Sequence, residues 1–285
     1  MPNLPPILRP EYYFDLDSFE HRELFSGTAP VWEAIKRLQD GDYVRRLVEA
    51  KCQQGEEIEL PECYGEVHVH AAAATKIWPH VVFSGEGGAV SLDEGADIRP
   101  GTCIDAGTHC VYIGKNTVVG PHAHLDARQG PIYVGDNVVL RHGAFIRELS
   151  VISNGSLIGN SCEIRCSIIG EEAEILHFNY VGDSIIGRHA VIGAGVMISN
   201  RKLTAGDVTL AVDGEMYDSG LRRFGVIMGD YAQMGCNAVA NPGTLIGKHA
   251  LVYAATALSG VAESLHIVKL RQTTEEADFE PGAAT

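Results

Sequence analysis

"VGDNVVLRHGAFIRELSVISNGSLIGNSCEI", residues 134–164, carries a large aliphatic residue at every sixth position: Val134, Leu140, Ile146, Ile152, Ile158 and Ile164. Large aliphatics make up about a third of an ordinary chain or less, so an unbroken run of this kind is not a chance pattern. An amphipathic helix repeats every 3.6 residues and a half-buried flat strand every 2, and a period of six suits neither. It suits a parallel β-helix, where each hexad gives one short strand, one turn and one inward aliphatic. Three hexads, 18 residues, then close one triangular coil. A single coil cannot bury its own interior, so coils must stack.

The period extends in both directions. Upstream lie Ile98 and Ile104, then Ile113, Val119 and Leu125 after a short insertion. Downstream come Ile169, Ile175, Val181, Ile186, Ile192 and Ile198, with two five-residue steps, and finally Met228, Met234, Ala240, Ile246, Val252 and Leu258. The predicted class is all-β, a parallel β-helix over residues 66–262. Residues 1–65 leave the repeat. There Val31, Ile35 and Leu38, then Val44, Leu47 and Val48, have helical spacing around a Gly-Asp turn, which predicts one or two short helices capping the open end of the coil. Residues 201–225 also break the hexads, and their alternation around Asp213-Gly214 predicts a β-hairpin arm. The acidic, small-residue-rich tail, 263–285, is expected to be disordered.

Composition narrows the partners. A hydrophobic share of 45% supports a real core, and 37 acidic against 22 basic residues leave a net charge of −15. Such a field repels phosphate backbones and anionic lipid, so neither nucleic acid nor a membrane surface is an expected partner. An anionic ligand must instead be caught by a local basic cluster. The N-terminus shows no basic region followed by an apolar one, and no apolar run is long enough to cross a membrane, so a cytoplasmic location is expected. Seven cysteines without a CxxC pair suit a reducing compartment. The closest two, Cys162 and Cys166, read as buried small hydrophobes.

Two constellations carry chemistry. Arg147 and Arg165 are 18 residues apart, one coil, and each follows a ladder aliphatic. Stacked coils are about 4.8 Å apart, so the two cations become neighbours and need an anion between them. Glu148, Glu163 or solvent could supply it, or the pair could clamp a phosphate through the guanidinium fork. His177 and Tyr180, flanking "FN" between two ladder positions, face away from the coil interior. Imidazole titrates near neutrality, which makes His177 a candidate general base. His68 and His70, with His80 further on, lack the carboxylate or Cys spacing that would complete a metal site, and no metal is expected.

The hexads resemble those of the hexapeptide-repeat acyl- and acetyltransferases, which implies a left-handed coil, a homotrimer and active sites between subunits. A closer likeness lies in "HFNYVGD" (177–183) and "GAGVMISN" (193–200). Together with "VDGEMYDSGLRRFGVIMGD" (212–230), they resemble the acetyltransferase domain of bifunctional sugar-1-phosphate nucleotidyltransferases of the N-acetylglucosamine-1-phosphate uridyltransferase type, the last stretch being similar to its archaeal branch. The resemblance covers roughly residues 130–262. It implies acetyl-CoA as donor and an amino-sugar phosphate as acceptor, with His177 as general base and Tyr180 as sugar ligand. Arg147 and Arg165 would hold the phosphate, Asn200 would serve both substrate and cofactor, and Ala254 and Cys236 would lie along the acetyl-CoA site. Glu163 falls on an acidic position that could orient its neighbours. Gly206 and Thr209 stand where the archaeal pattern has lysines, with Lys202 the nearby basic residue, and Val191 stands where the bacterial pattern has Asn. The nucleotidyltransferase signature is not found in the residues that precede the coils. The alternative expectation is a catalytically silent trimer that binds a sugar phosphate or nucleotide sugar beside a separate nucleotidyltransferase.

Overall fold

The computed structural model describes residues 4–25, 29–52 and 55–278. Each hexad forms one strand of two to four residues and one corner, and strands pair in parallel with their counterparts one coil away. Three walls result. Wall one takes the file Ile113, Val134, Ile152, Ile169, Ile186, Met228 and Ile246. Wall two takes Ile98, Val119, Leu140, Ile158, Ile175, Ile192, Met234 and Val252. Wall three takes Ile104, Leu125, Ile146, Ile164 and Val181, and further on Ile198, Ala240 and Leu258. The aliphatic ladder from Ile98 to Leu258 is therefore one continuous buried core. Each fully buried large side chain contributes about 1.5–3 kcal/mol, so one long apolar axis stabilises the coil.

The chain runs from wall one to wall two to wall three, and each change of direction needs a left-handed residue at the corner. At the two–three corner these are His122, Gly143, Ser161, Phe178, Gly195, Asn237 and Ala255. The coil outlasts its expected end: Ile267–Val268 still pairs with Leu251–Val252. Residues 269–278 carry no regular structure, and residues 279–285 of the expected tail lie outside the described residues.

Two short helices form before the coil, α1 (Glu33–Gln39) and α2 (Asp42–Glu49), but they lie along the flank of wall one rather than over the end of the coil. The reason is on that wall's outer face. Tyr112, Tyr133, Val151, Ile168, Ile185, Ile227 and Leu245 point away from the ladder and would be a long wet apolar stripe. Tyr13, Phe14, Trp32, Ile35, Leu38 and Val44 cover it, and α2 packs on strands Cys110–Ile113 and Ile132–Val134. The hairpin forms as expected from Thr209–Val212 and Glu215–Asp218. Asp213 and Gly214 both have positive φ, which the tight two-residue turn requires. It joins the same outer layer, with Trp32 6.3 Å from Tyr217 and 6.5 Å from Phe224 between ring centroids.

Candidate active site

His177 sits at the two–three corner, half-buried, between strand Glu174–Ile175 and strand Tyr180–Gly182. One coil away, Asn160 Oδ1 accepts a hydrogen bond from His177 Nδ1. An amide oxygen only accepts, so Nδ1 carries a proton and, in the neutral ring, Nε2 keeps its lone pair. This is the tautomer that a base on the solvent side needs. The next residue, Phe178, holds a left-handed backbone with φ 55° while 62% of its surface stays exposed. It takes the same left-handed corner position that Ser161, Asn237 and Ala255 fill in other coils, at a steric cost for so bulky a residue.

The corner is a file in register. Phe178 N donates to Asn160 O, Gly195 N to His177 O, Asn237 N to Ala194 O and Ala255 N to Cys236 O, all between 2.8 and 3.1 Å. Asn160, His177, Ala194, Cys236 and Ala254 therefore stack along one edge. At about 4.8 Å per coil, His177 and Ala254 are about 14 Å apart. Cys236 and Ala254 are exposed. Among the described residues, the N–H groups of Ala194 and Cys236 have no acceptor. Three residues predicted apart in sequence, His177, Cys236 and Ala254, thus share one strip of surface.

The other predicted residues occupy wall three and its far corner. Arg147 and Arg165 stand on stacked strands of the same wall. Their repulsion is relieved by carboxylates. Arg147 Nη1 donates to Glu163 at 3.0 Å and its Nε lies 3.4 Å from Glu148. Arg165 Nε donates to Glu148 at 2.7 Å and its Nη1 reaches Asp183 at 3.2 Å. The two arginines are not equivalent. Arg147 is 30% exposed and leans back over the Phe145 ring on the outer face of the wall. Arg165 is 18% exposed and locked between two buried acids at the three–one corner. Asp183 and Glu148 hold its guanidinium above the ordinary value although burial pulls it down.

Asn200 joins this network, its amide donating to Tyr180 Oη at 3.0 Å and to Asp183 Oδ2 at 2.6 Å. Burial, then the charges of Asp183 and Glu163, raises the Tyr180 phenol above its ordinary value, so it stays a neutral hydroxyl. Tyr180 lies flat along the wall because Gly182 is bare: a Cβ there would meet Tyr180 Oη at 2.4 Å. Asn160, Asp183 and Gly182 were not singled out by sequence reasoning, whereas Glu148 and Glu163 were named there as acids that could relieve the arginine pair, and both do so. Asp183 and Gly182 stand inside the "HFNYVGD" block, which was their only signal.

Elsewhere, Lys202 Nζ is occupied by the carbonyl of Asp207 at 2.7 Å, and Val191 projects from wall two. His68 Nδ1 lies 2.8 Å from Glu57. Cys162 and Cys166 are buried. No helix is long and apolar enough to cross a membrane among the described residues.

A family model, the GMPPB C-terminal domain, matches residues 128–216, which hold His177, Tyr180, Asn200 and both arginines. The bifunctional protein GlmU of Carboxydothermus hydrogenoformans is 32% identical over 245 residues, 85% of this chain and 48% of that protein. The bifunctional sugar-1-phosphate nucleotidylyltransferase/acetyltransferase of Sulfurisphaera tokodaii is 34% identical over 110 residues, 39% of this chain and 27% of that protein. Among solved structures, the UDP-N-acetylglucosamine acyltransferase of Francisella novicida matches 65% of this chain and 61% of its own, at 19% identity and a TM-score of 0.31. The chain spans about half the length of the first of these relatives and about a quarter of the second. The repeat, the coil and these relatives agree on a hexapeptide-repeat β-helix that is similar, over 85% of this chain, to the GlmU protein of Carboxydothermus hydrogenoformans.

Proposed function

We propose that this chain transfers an acetyl group from acetyl-CoA to the amine of an amino-sugar phosphate of the glucosamine-1-phosphate kind. The observation that carries the reading is the Asn160–His177 pair, which leaves His177 Nε2 free as a base at the head of the strip that ends at Ala254. A neutral amine attacks a thioester only if its proton has an acceptor, and His177 would be that acceptor. The unfilled N–H groups of Ala194 and Cys236, next along the strip, would stabilise the oxyanion. The thioester carbon then loses the thiolate, which leaves as free CoA with a proton.

Tyr180 would hydrogen-bond the sugar, and Arg147, with Arg165 behind it, would hold the phosphate. As built, three carboxylates surround the two guanidiniums, so a phosphate must exchange with Glu163 for Arg147. Both of these side chains are partly exposed, which lets that exchange happen at the surface. The strip would become a closed site through two further copies. Val139, Leu157, Val191 and Leu251 project from wall two, outside the N-terminal layer, and a 940 Å³ depression lies over part of that face. A homotrimer packed through it would set the two–three corner against a neighbour.

The test is purified protein with glucosamine-1-phosphate and acetyl-CoA, followed by thiol release. Turnover in the parent and none in His177→Ala supports the reading, whereas equal turnover in the variant removes the base. Gly206 and Thr209, standing where the archaeal pattern has lysines, favour a second reading, a catalytically silent binder of a sugar phosphate or nucleotide sugar. Calorimetry that finds sugar-phosphate binding without acetyl-CoA binding would favour it.

A further inference from the structure

We propose that the cavity at the three–one corner, beneath the end of α1, binds a phosphate or diphosphate group. It has a volume of 270 Å³ and is lined by Gln39, Arg165, Cys166, Asp183, Arg222 and Arg223, with Leu149 as an apolar edge. Three separate stretches of chain build it. α1 ends there in Gln39, whose amide donates to Asp183 Oδ1 and to the carbonyl of Arg223, both at 2.9 Å. The corner of the coil supplies Arg165 and Asp183. The return from the hairpin supplies Arg222 and Arg223, brought alongside Asn200 by Phe224 N donating to its carbonyl at 2.8 Å.

The charges converge without matching. Three guanidiniums and one carboxylate line the cavity in a chain whose net charge is −15. Arg165 is committed to Glu148 and Asp183, and Arg222 reaches the carbonyl of Gly206. Among the described residues the guanidinium of Arg223 has neither a hydrogen-bond nor an ion-pair partner. An anion in the cavity supplies the missing counter-charge. The guanidinium fork fits the oxygens of phosphate, and Gln39 closes one side. Ligand sites of whole small molecules run to about 300–1,000 Å³, so this cavity suits the phosphate end of a ligand rather than a nucleotide.

The site shares Arg165 with the phosphate position proposed above and is otherwise separate from it. It lies across wall three from His177, about 10 Å of strand away, and needs Arg222 and Arg223, which take no part in the proposed reaction.

Inorganic pyrophosphate, titrated by calorimetry into the intact chain at low salt, is the test. Expected is saturable binding that Arg223→Glu and Arg222→Glu each weaken about tenfold or more, as loss of a charge-assisted bond requires. Arg147→Ala should weaken that affinity less than either, since Arg147 does not line the cavity. Because Arg222 and Arg223 are exposed, their substitution leaves the core intact, and circular dichroism verifies it. The proposal is overturned if no heat appears up to about 5 mM pyrophosphate. It is equally overturned if Arg147→Ala removes binding while Arg223→Glu keeps it.

Discussion

His177 and Asn160 are 17 residues apart in sequence and one coil apart in space, and the Asn160 amide oxygen fixes the proton of His177 on Nδ1. In the neutral ring the other nitrogen is then the one that can accept a proton. If this bond matters because it selects a tautomer, Asn160→Ala should lower kcat about tenfold and leave KM for the acceptor nearly unchanged. Asn160→Asp, which still accepts from Nδ1, should recover most of the rate. His177→Ala should cost about 10²-fold or more. Steady-state kinetics on the three variants decides; a rise in KM alone for Asn160→Ala would make Asn160 a binding residue.

The two stacked arginines should separate in thermal denaturation. Removing Arg165 leaves Glu148 and Asp183 buried without a counter-charge, so Arg165→Ala should destabilise the chain by about 3 kcal/mol or more. Arg147 is a third exposed, and its pair with Glu163 is screened by water, so Arg147→Ala should cost less than about 1 kcal/mol. Equal losses would contradict the distinction drawn between them.

Glu163 competes for Arg147. Glu163→Gln should therefore lower KM for the sugar phosphate severalfold, an unusual direction for a substitution at a site. An unchanged or raised KM would mean that the phosphate does not use Arg147.

Gly182 has no side chain where Tyr180 and the Asn200 amide cross. A methyl group there must push the phenol off the wall, so Gly182→Ala should raise KM for the acceptor about tenfold while melting changes little. Retained KM would remove Tyr180 from acceptor binding.

His21 lies buried under the N-terminal layer, both ring nitrogens hydrogen-bonded, to Tyr43 Oη at 2.6 Å and to Ser153 Oγ at 2.8 Å. Burial lowers its pKa to about 4 from 6.5. The unfolded chain thus takes up a proton first as pH falls. The stability that neutral His21 contributes is complete above pH 6.5 and is lost as pH drops toward 4, up to about 3 kcal/mol. The neighbouring Glu20, its carboxyl raised first by burial, works in the opposite sense. Trp32 fluorescence should report the layer loosening over that window, and His21→Gln should remove much of the dependence. A pH-independent signal in the parent chain would refute the assignment.

The coil was legible because a single inward residue per hexad is enough to mark it, and Ile98 through Leu258 kept that mark. The stacking of Arg147 on Arg165 was equally legible, since 18 residues make one coil there. Asn160 escaped because a five-residue step between Ile164 and Ile169 shortens its coil to 17, so the partner of His177 falls off the obvious register. The outer layer escaped for another reason. Val151-Ile152, on wall one, and Leu157-Ile158, on wall two, are both apolar doublets, yet the first is covered and the second is not. Only three-dimensional packing shows which face the N-terminal residues take.

That layer changes how the rod must come apart. A bare stack of coils can unzip from either end, one rung at a time, because each rung touches only its neighbours. Here α2 grips the rungs near Cys110 and Ile132, while Asp15 N binds Asp230 and Ser264 N binds Tyr12 Oη far along the axis. The strap joins distant rungs into one body, so denaturant should melt the described coils together, in a single transition, and peeling should begin only once the strap lets go.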